Sequence, residues 1–148
     1  MIRAVIFDLG GTLVDKYSLS PLINLKNAFL KNNVRLSDKL IARDMGMDKF
    51  DHITHLSYDN EFRDQFIYNH GRLHSSIDLN NIYDDYCNFQ ERYLQNHLEL
   101  IPETKDAIDK LKEKDIKIGI TTGFNLDQMN LCLDLLEKHG IYPDSAVS

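Results

Sequence analysis

The 148-residue chain has room for one domain, or for a small core that carries an inserted cap. Its 43% hydrophobic and 27% charged residues are the balance of an ordinary soluble globular protein. A net charge of −6 without a run of lysine and arginine argues against nucleic acid as a partner, and no apolar run approaches the roughly 20 residues that span a bilayer.

The two cysteines, Cys87 and Cys132, form no paired metal-binding motif, and both fall in helical patterns. Free thiols of this kind are typical of a reducing compartment. The first strand pattern begins at once, which leaves no room for a signal peptide before it. These features predict a cytoplasmic protein.

An apolar run that ends in an acid opens the chain. Residues Ala4–Phe7 are typical of a parallel strand that is buried on both faces. Asp8 follows directly, and Gly10 and Gly11 allow an abrupt turn. Open α/β sheets bind their ligands at the carboxyl ends of the strands. Asp8 is therefore a candidate nucleophile, metal ligand or both, and the alternative is an ordinary aspartate between strand and loop.

Residues 16–98 show helical spacing and no convincing strand. Ser20 and Ser37 are typical helix N-caps, each followed by apolar residues at helical spacing. Further helices are predicted over residues 59–69 and around the apolar series that runs from Ile82 to Tyr93.

The strand signature returns at residues 116–120, which are predicted to form a second buried strand. Asn125 is predicted to cap the helix that follows, and a short third strand is expected near the end of the chain. This order of elements indicates an α/β fold. We predict an incomplete doubly wound parallel sheet from residues 1–15 and 99–148, with residues 16–98 as an inserted α-helical cap.

Thr121 ends the second strand as Asp8 ends the first, and neighbouring parallel strands would place both at one rim of the sheet. A hydroxyl there, with the backbone amides of Thr122 and Gly123, can hold a phosphoryl oxygen. Threonine is common in strands and turns, so this hypothesis depends on its pairing with Asp8.

Met45, Lys49 and His52 are separated by four and three residues and would share one face of a helix. A lysine among methionine and phenylalanine side chains can lose hydration, which lowers its pKa and leaves a neutral amine that attacks aldehydes. His52 could then shuttle the proton. The local spacing alone favours the other interpretation, a solvated lysine on an amphipathic helix.

These motifs together carry a family resemblance. The run from Asp8 to Val14 resembles the first motif of the haloacid dehalogenase superfamily, except that Gly10 stands where most of its phosphatases have a second aspartate. The pattern from Met45 to His52, methionine-glycine-x-x-lysine-x-aspartate-histidine, resembles the phosphonoacetaldehyde hydrolase (phosphonatase) family, whose members also carry a small residue at the position of Gly10.

The resemblance implies a haloacid dehalogenase-like Rossmannoid core and hydrolysis of the carbon–phosphorus bond of phosphonoacetaldehyde. Lys49 would form an imine with the aldehyde, with His52 and Met45 beside it. Asp8 would be the nucleophile that takes the phosphoryl group. The protonated imine accepts the electrons of the broken bond, so no acid is needed to protonate a leaving alkoxide and Gly10 costs the reaction little.

The resemblance also implies a set of ligands. Mg²⁺ would be held by the carboxylate of Asp8 and the backbone carbonyl of Gly10. The phosphonyl oxygens would be bound by Thr121, Thr122 and Gly123.

The superfamily has a third motif with a lysine or arginine and a fourth with one or two acids, and the chain contains neither. Their absence predicts a poor Mg²⁺ site, an exposed apolar edge at Ala4–Phe7 and little turnover by this chain alone. A homodimer or a complementing C-terminal fragment would have to supply them. The other functional hypotheses are a non-catalytic remnant or interaction module, and a generic phosphatase, which Gly10 disfavours.

Overall fold

The computed structural model describes residues 1–16 and 18–148. Contacts between Cα atoms divide the chain into two compact units, a sheet unit of residues 1–18 and 93–148 and a helical unit of residues 19–92. None of the described helices is both long and apolar enough to cross a membrane. The elements follow in the order β1 (Ala4–Phe7), α1 (Ser20–Lys31), α2 (Asp38–Ala42), α3 (Lys49–Ser57), α4 (Asn60–His70), α5 (Ser76–His97), α6 (Thr104–Lys112), β2 (Lys117–Thr121), α7 (Leu126–Lys138) and β3 (Ser145–Val147).

The sheet unit contains three parallel strands in the order β1-β2-β3. Parallel pairing requires long crossovers, and these contain the helical insertion, α6 and α7. Ile118 and Ile120 of β2 are buried in the same cluster as Ile108 of α6 and Leu136 of α7. The predicted α/β class with a parallel sheet is therefore confirmed.

The prediction that β1 is buried on both faces is wrong. Ala4 is exposed and Ile6 keeps 71% of its surface accessible, whereas Val5 and Phe7 are half-buried. The reason is that β1 is an edge strand and that the apolar cluster of this unit lies on the side of Phe7. The exposed apolar edge expected for this strand is confirmed.

The helical unit has no strand in residues 19–92, as predicted for this stretch. Its core includes Phe29 and Phe62, whose rings meet edge to face with their centres 6.0 Å apart. Ile53 of α3 and Tyr86 of α5 belong to the same buried cluster. Helix α3, which carries Lys49, therefore packs into this core through Ile53.

Helix caps depend on where neighbouring side chains lie. Ser37 and Asn125 cap α2 and α7 as predicted. Ser20 does not cap α1, because the helix begins at Ser20 itself and Leu19 occupies the cap position. The Ser20 hydroxyl is buried and accepts a hydrogen bond from the side-chain amide of Gln90 at 3.1 Å. A buried amide needs a hydrogen-bond partner. The partner of the Gln90 amide is the Ser20 hydroxyl, which the sequence alone predicts to cap the helix.

Candidate active site

The loop after β1 is held by its own backbone. The carbonyl oxygen of Leu9 accepts hydrogen bonds from the N–H groups of Thr12, Leu13 and Val14 at 3.1, 2.9 and 3.1 Å. Leu9, Leu13 and Val14 are buried and anchor the turn in the core of the sheet unit. Asp8 directly follows β1 and is exposed. A carboxylate is thus presented to solvent from a firmly held turn at the carboxyl end of a strand.

The backbone requires glycine at only one of the two glycine positions of this turn. Gly11 has a φ of +78°, and a Cβ there would lie 2.9 Å from the Cβ of Ser18. Gly10 has no such backbone constraint, and its Cβ would lie 3.4 Å from the ring of Phe124. Gly11 is therefore required by the turn, whereas the space at Gly10 accepts a methyl group in ordinary van der Waals contact.

Thr121 stands beside Asp8 at the end of the sheet. Phe7 pairs with Ile120 in the parallel register, so the residues that follow them, Asp8 and Thr121, emerge on neighbouring strands at the same edge. Adjacent strands are about 4.8 Å apart, which is close enough for both side chains to reach one small ligand. Thr121 is exposed, as Asp8 is.

The loop after β2 is also fixed. The N–H of Thr122 donates to the carbonyl of Val147 at 3.1 Å, and its hydroxyl accepts from the N–H of Phe124 at 3.2 Å. The backbone amide of Thr122 is therefore engaged within the sheet. Gly123 is half-buried in the same loop, and Asn125 starts α7 directly after it.

Lys49 is the most unusual side chain of the helical unit. It is only 5% exposed, and its Nζ donates to the backbone carbonyls of Met45 at 2.6 Å and Met47 at 2.8 Å. Lysine is almost never buried unless it is paired. Here the partners are carbonyl oxygens of the preceding turn, so the amine is desolvated and held in one place.

The expectation that Met45 shares a helix with Lys49 is wrong. Asp48 occupies the N-cap position, where its carboxylate accepts from the N–H groups of Phe50 and Asp51 at 2.9 and 3.0 Å. The helix therefore begins at Lys49, and Met45 lies in the turn before it. Met45 reaches Lys49 through its carbonyl oxygen.

His52 lies one turn after Lys49 in α3 and is fully buried. Neither ring nitrogen has a partner in hydrogen-bonding geometry among the described residues. Burial, and secondly the charge of Lys49, lower the pKa of His52 from 6.5 to about 4, against a smaller opposing effect of Asp44 and of the Ile41 backbone. His52 is thus a neutral imidazole at pH 7, and its low pKa makes it a weak base.

Two contributors to this site were not singled out from the sequence. Asp48 sets the start of α3, and an aspartate just before a helical pattern is a recognisable cap signal. Met47 contributes a backbone carbonyl, which no side-chain pattern reveals.

The oxygen donors after β1 are of the chemical type that Mg²⁺ prefers. The carboxylate of Asp8 and the carbonyl of Gly10 are hard oxygen donors, and Mg²⁺ commonly takes its remaining ligands from water and a substrate phosphate. Within the described part of the chain, no three or more histidine, cysteine or acidic side chains are grouped to hold a metal ion. These two residues therefore fit Mg²⁺ as part of a coordination shell.

A parallel sheet with an acid at the end of its first strand, interrupted there by a helical insertion, defines the class of this protein. The family model for haloacid dehalogenase-like hydrolases matches residues 2–147. The chain belongs to this family of hydrolases.

The names of the curated relatives are more specific than the name of the family. The chain is 32% identical to a phosphonoacetaldehyde hydrolase of Syntrophobacter fumaroxidans, in a match that covers 99% of this chain and 53% of the relative. It is 30% identical to one of Bacillus cereus, with coverage of 99% and 56%. The chain thus spans about half the length of the curated relatives it matches.

A solved structure has a similar fold. The crystal structure of a phosphonoacetaldehyde hydrolase-like protein from Oleispira antarctica superposes with a TM-score of 0.90 at 26% identity, over 99% of this chain and 53% of that one. A hydrolase from Pseudomonas syringae, at 21% identity and a TM-score of 0.72, shares the fold.

Proposed function

We propose that this chain acts on phosphonoacetaldehyde, a small-molecule substrate, and that Lys49 forms an imine with its aldehyde group. The observation that carries the proposal is the buried amine of Lys49, held by two carbonyl oxygens one turn from a neutral histidine. The names of the curated relatives and the pattern from Met45 to His52 support the same assignment.

The first step would take place at Lys49. Its amine adds to the aldehyde carbon and water is expelled, which leaves an imine. The amine must lose a proton and at least one of its bonds to the carbonyls of Met45 and Met47 before it adds. His52 is neutral at pH 7 and lies on the same helix face, so it is the proposed proton acceptor.

The second step would transfer the phosphoryl group to Asp8. The electrons of the carbon–phosphorus bond move to the protonated imine nitrogen and produce an enamine, while the carboxylate of Asp8 bonds to phosphorus. Water then hydrolyses the aspartyl phosphate, and protonation and hydrolysis of the enamine release acetaldehyde and regenerate Lys49. Thr121 and Gly123 are the proposed ligands of the phosphonyl oxygens, and Thr122 would join them if its amide left Val147.

Mg²⁺ is the proposed cofactor, with Asp8 and Gly10 as its ligands from this chain. When bound, it would neutralise negative charge on the phosphonyl oxygens. Asp8 and Thr121 would orient the phosphonyl group from neighbouring strand ends.

Chemical trapping tests the assignment of Lys49. The protein is incubated with acetaldehyde or phosphonoacetaldehyde and reduced with borohydride, and peptide mass spectrometry locates the adduct. We expect it on Lys49 and expect Lys49→Arg to abolish it, because a guanidinium does not form an imine. The matched control is Lys39→Arg, an exposed lysine of α2, which should leave the adduct unchanged. An adduct that persists in Lys49→Arg would refute the proposal.

A second candidate is a non-catalytic interaction module. The exposed apolar face of the sheet favours it, since Ile6 is 71% exposed. Trapping separates the two candidates, because an interaction module has no need of a reactive amine and would give no adduct at Lys49. A generic phosphatase would instead hydrolyse p-nitrophenyl phosphate without forming any borohydride adduct.

A further inference from the structure

The helical unit contains a buried phenol without a hydrogen-bond partner. Within the part of this unit that the structure describes, three side chains have buried polar atoms of this kind, namely His52, His74 and Tyr86. The ring of His74 packs edge-on against Phe62 and Phe66 and belongs to the aromatic cluster of α4. His52 is already part of the proposed site of imine formation. The unpartnered hydroxyl of Tyr86 has no such explanation.

Burial of this hydroxyl lowers the stability of the fold. Tyr86 lies in α5, is only 1% exposed and belongs to the apolar cluster that forms the core of the helical unit. A buried donor that finds no acceptor loses its hydrogen bonds to water without replacement. Phenylalanine would fill the same space without this loss, because it lacks only the hydroxyl. A buried group of this kind is a candidate for a role in binding or catalysis.

Tyr86 belongs to a part of α5 that packs beside the start of α3. Met45, whose carbonyl binds the amine of Lys49, packs against the same cluster as Tyr86. Phe50, the residue after Lys49, meets the ring of Tyr83 edge to face with the ring centres 5.6 Å apart. The rings of Tyr83 and Tyr86 are themselves neighbours, with their centres 6.5 Å apart. Both residues that flank the amine in this way contact the surroundings of Tyr86.

The electrostatic environment of the phenol agrees with this position. Burial raises the pKa of Tyr86 above its ordinary value, and Cys87, Tyr83 and Asp48 add smaller effects in the same direction. Asp48 is the N-cap of α3 and directly precedes Lys49. Its effect on Tyr86 therefore places the phenol within electrostatic range of the helix start. The raised pKa also means that the hydroxyl keeps its proton at neutral pH and acts as a hydrogen-bond donor.

We propose that the hydroxyl of Tyr86 donates a hydrogen bond to the aldehyde oxygen of the substrate while the amine of Lys49 adds to the carbonyl carbon. This role rests on the proposed function of Lys49 and makes Tyr86 a further catalytic residue of the same site. The aldehyde oxygen is the acceptor that the hydroxyl lacks among the described residues.

The hydrogen bond matters most during the addition step. The lone pair of the Lys49 amine forms the carbon–nitrogen bond, and the π electrons of the carbonyl move to oxygen, which gains negative charge. A neutral donor in a buried site stabilises that charge. Two of the three ammonium protons of Lys49 are transferred to the oxygen, one of them through His52, and the oxygen leaves as water. The third stays on the protonated imine, and Tyr86 keeps its own proton.

Removal of the hydroxyl tests this role. The full chain is incubated with acetaldehyde and an excess of cyanoborohydride, so that imine formation limits the rate at which the Lys49 adduct appears. Tyr86→Phe should slow this rate by about tenfold or more, because one donor to a developing oxyanion contributes up to about 10²–10³-fold. The matched control is Tyr58→Phe, which removes a 72% exposed phenol at the other end of α3 and should leave the rate unchanged.

Stability separates a catalytic hydroxyl from a structural one. Tyr86→Phe keeps the buried ring and removes a donor that has no partner, so the midpoint of urea unfolding should stay the same or rise. A hydroxyl that serves the fold would instead lower this midpoint when it is removed. We therefore expect slower trapping in a variant that is at least as stable as the natural chain.

A second reagent distinguishes an effect on the oxygen from an effect on the amine. Acrylonitrile adds to an amine through its carbon–carbon double bond and produces no oxyanion. Labelling of Lys49 by acrylonitrile, measured by peptide mass spectrometry, should proceed at the same rate in Tyr86→Phe and in the natural chain.

Three results would overturn the role of Tyr86. These are an unchanged trapping rate in Tyr86→Phe, a lower stability of that variant, and an equal slowing of trapping and of acrylonitrile labelling. In each case the adduct would still be found on Lys49, and the proposed function would stand. Absence of any adduct on Lys49 in the natural chain would overturn both.

Discussion

At the scale of single residues, burial and a neighbouring charge determine the protonation state of His52. Its ring is fully buried on α3, beside an amine that is itself desolvated. Both effects disfavour a second positive charge, which is why the pKa of His52 falls to about 4. A histidine in this state is neutral at pH 7 and is a weak base.

The same burial predicts a pH dependence of stability. In the unfolded chain His52 binds a proton below about pH 6.5, whereas in the folded chain it does so only near pH 4. The unfolded chain therefore gains more from protonation than the folded chain does. The stabilising contribution of His52 to the free energy of unfolding is fully present above pH 6.5 and is lost as the pH falls toward 4. The loss is on the order of 2–3 kcal/mol. Urea unfolding at several pH values measures it.

Two variants isolate this contribution. His52→Gln should show a smaller loss of stability between pH 6.5 and 4 than the natural chain. His55→Gln removes an exposed histidine from the same helix and should retain the full loss. Equal slopes for the natural chain and His52→Gln would show that the protonation of His52 is not linked to folding.

At the scale of elements, the start of α3 determines the position of Lys49. The carboxylate of Asp48 accepts from two backbone N–H groups of the first turn. The turn before the cap then directs the carbonyls of Met45 and Met47 toward the amine of Lys49. Asp48 acts through the helix start and is therefore a positioning residue.

We predict that Asp48→Ala lowers the free energy of unfolding by about 1 kcal/mol, the usual cost of a lost N-cap. It should also slow borohydride trapping at Lys49, because the amine is no longer held by the turn. Asp48→Asn retains a cap acceptor and should restore both properties. If the alanine and asparagine variants trap at the same rate, the cap does not position Lys49.

Side chains of α4 hold the connection between α1 and α2. They stand at four-residue spacing on the helix and bond to the backbone of alternate residues of that connection. The pairs are Glu61 with Ser37 at 2.5 Å, Gln65 with Arg35 at 2.6 Å and Asn69 with Asn33 at 2.7 Å.

At the scale of the whole molecule, the chain corresponds to about half of a relative's length. Asp8, the proposed Mg²⁺ ligand, contributes one carboxylate and directly follows an edge strand. The proposed nucleophile has to be aligned with the phosphorus atom for attack in line.

We therefore predict that this chain alone hydrolyses phosphonoacetaldehyde at least about 10²–10³-fold more slowly than a full-length relative, the usual cost of one missing electrostatic group. Release of acetaldehyde, followed by a coupled reduction, measures the rate. Adding the unmatched part of a relative should raise it, and Asp8→Asn should prevent that rise. A rate for the unaided chain equal to that of the relative would contradict this prediction.

Much of the fold follows from local patterns that the sequence displays. The apolar run of residues 116–120 and the helical spacing of residues 16–98 predict the observed elements, because burial of one face requires that periodicity. The caps Ser37 and Asn125 are equally local, since each hydroxyl or amide oxygen reaches an N–H only three residues away.

Tertiary structure decided the features that depend on distant neighbours. Ser20 bonds to Gln90, 70 residues away, and so leaves the cap that its local sequence predicts. The exposure of Ile6 depends on which elements cover the sheet, because an apolar run has the same pattern whether one face or two are packed. Lys49 is identified by its motif, but the carbonyls that hold it are backbone groups without a side-chain pattern, and only the folded turn brings them to the amine.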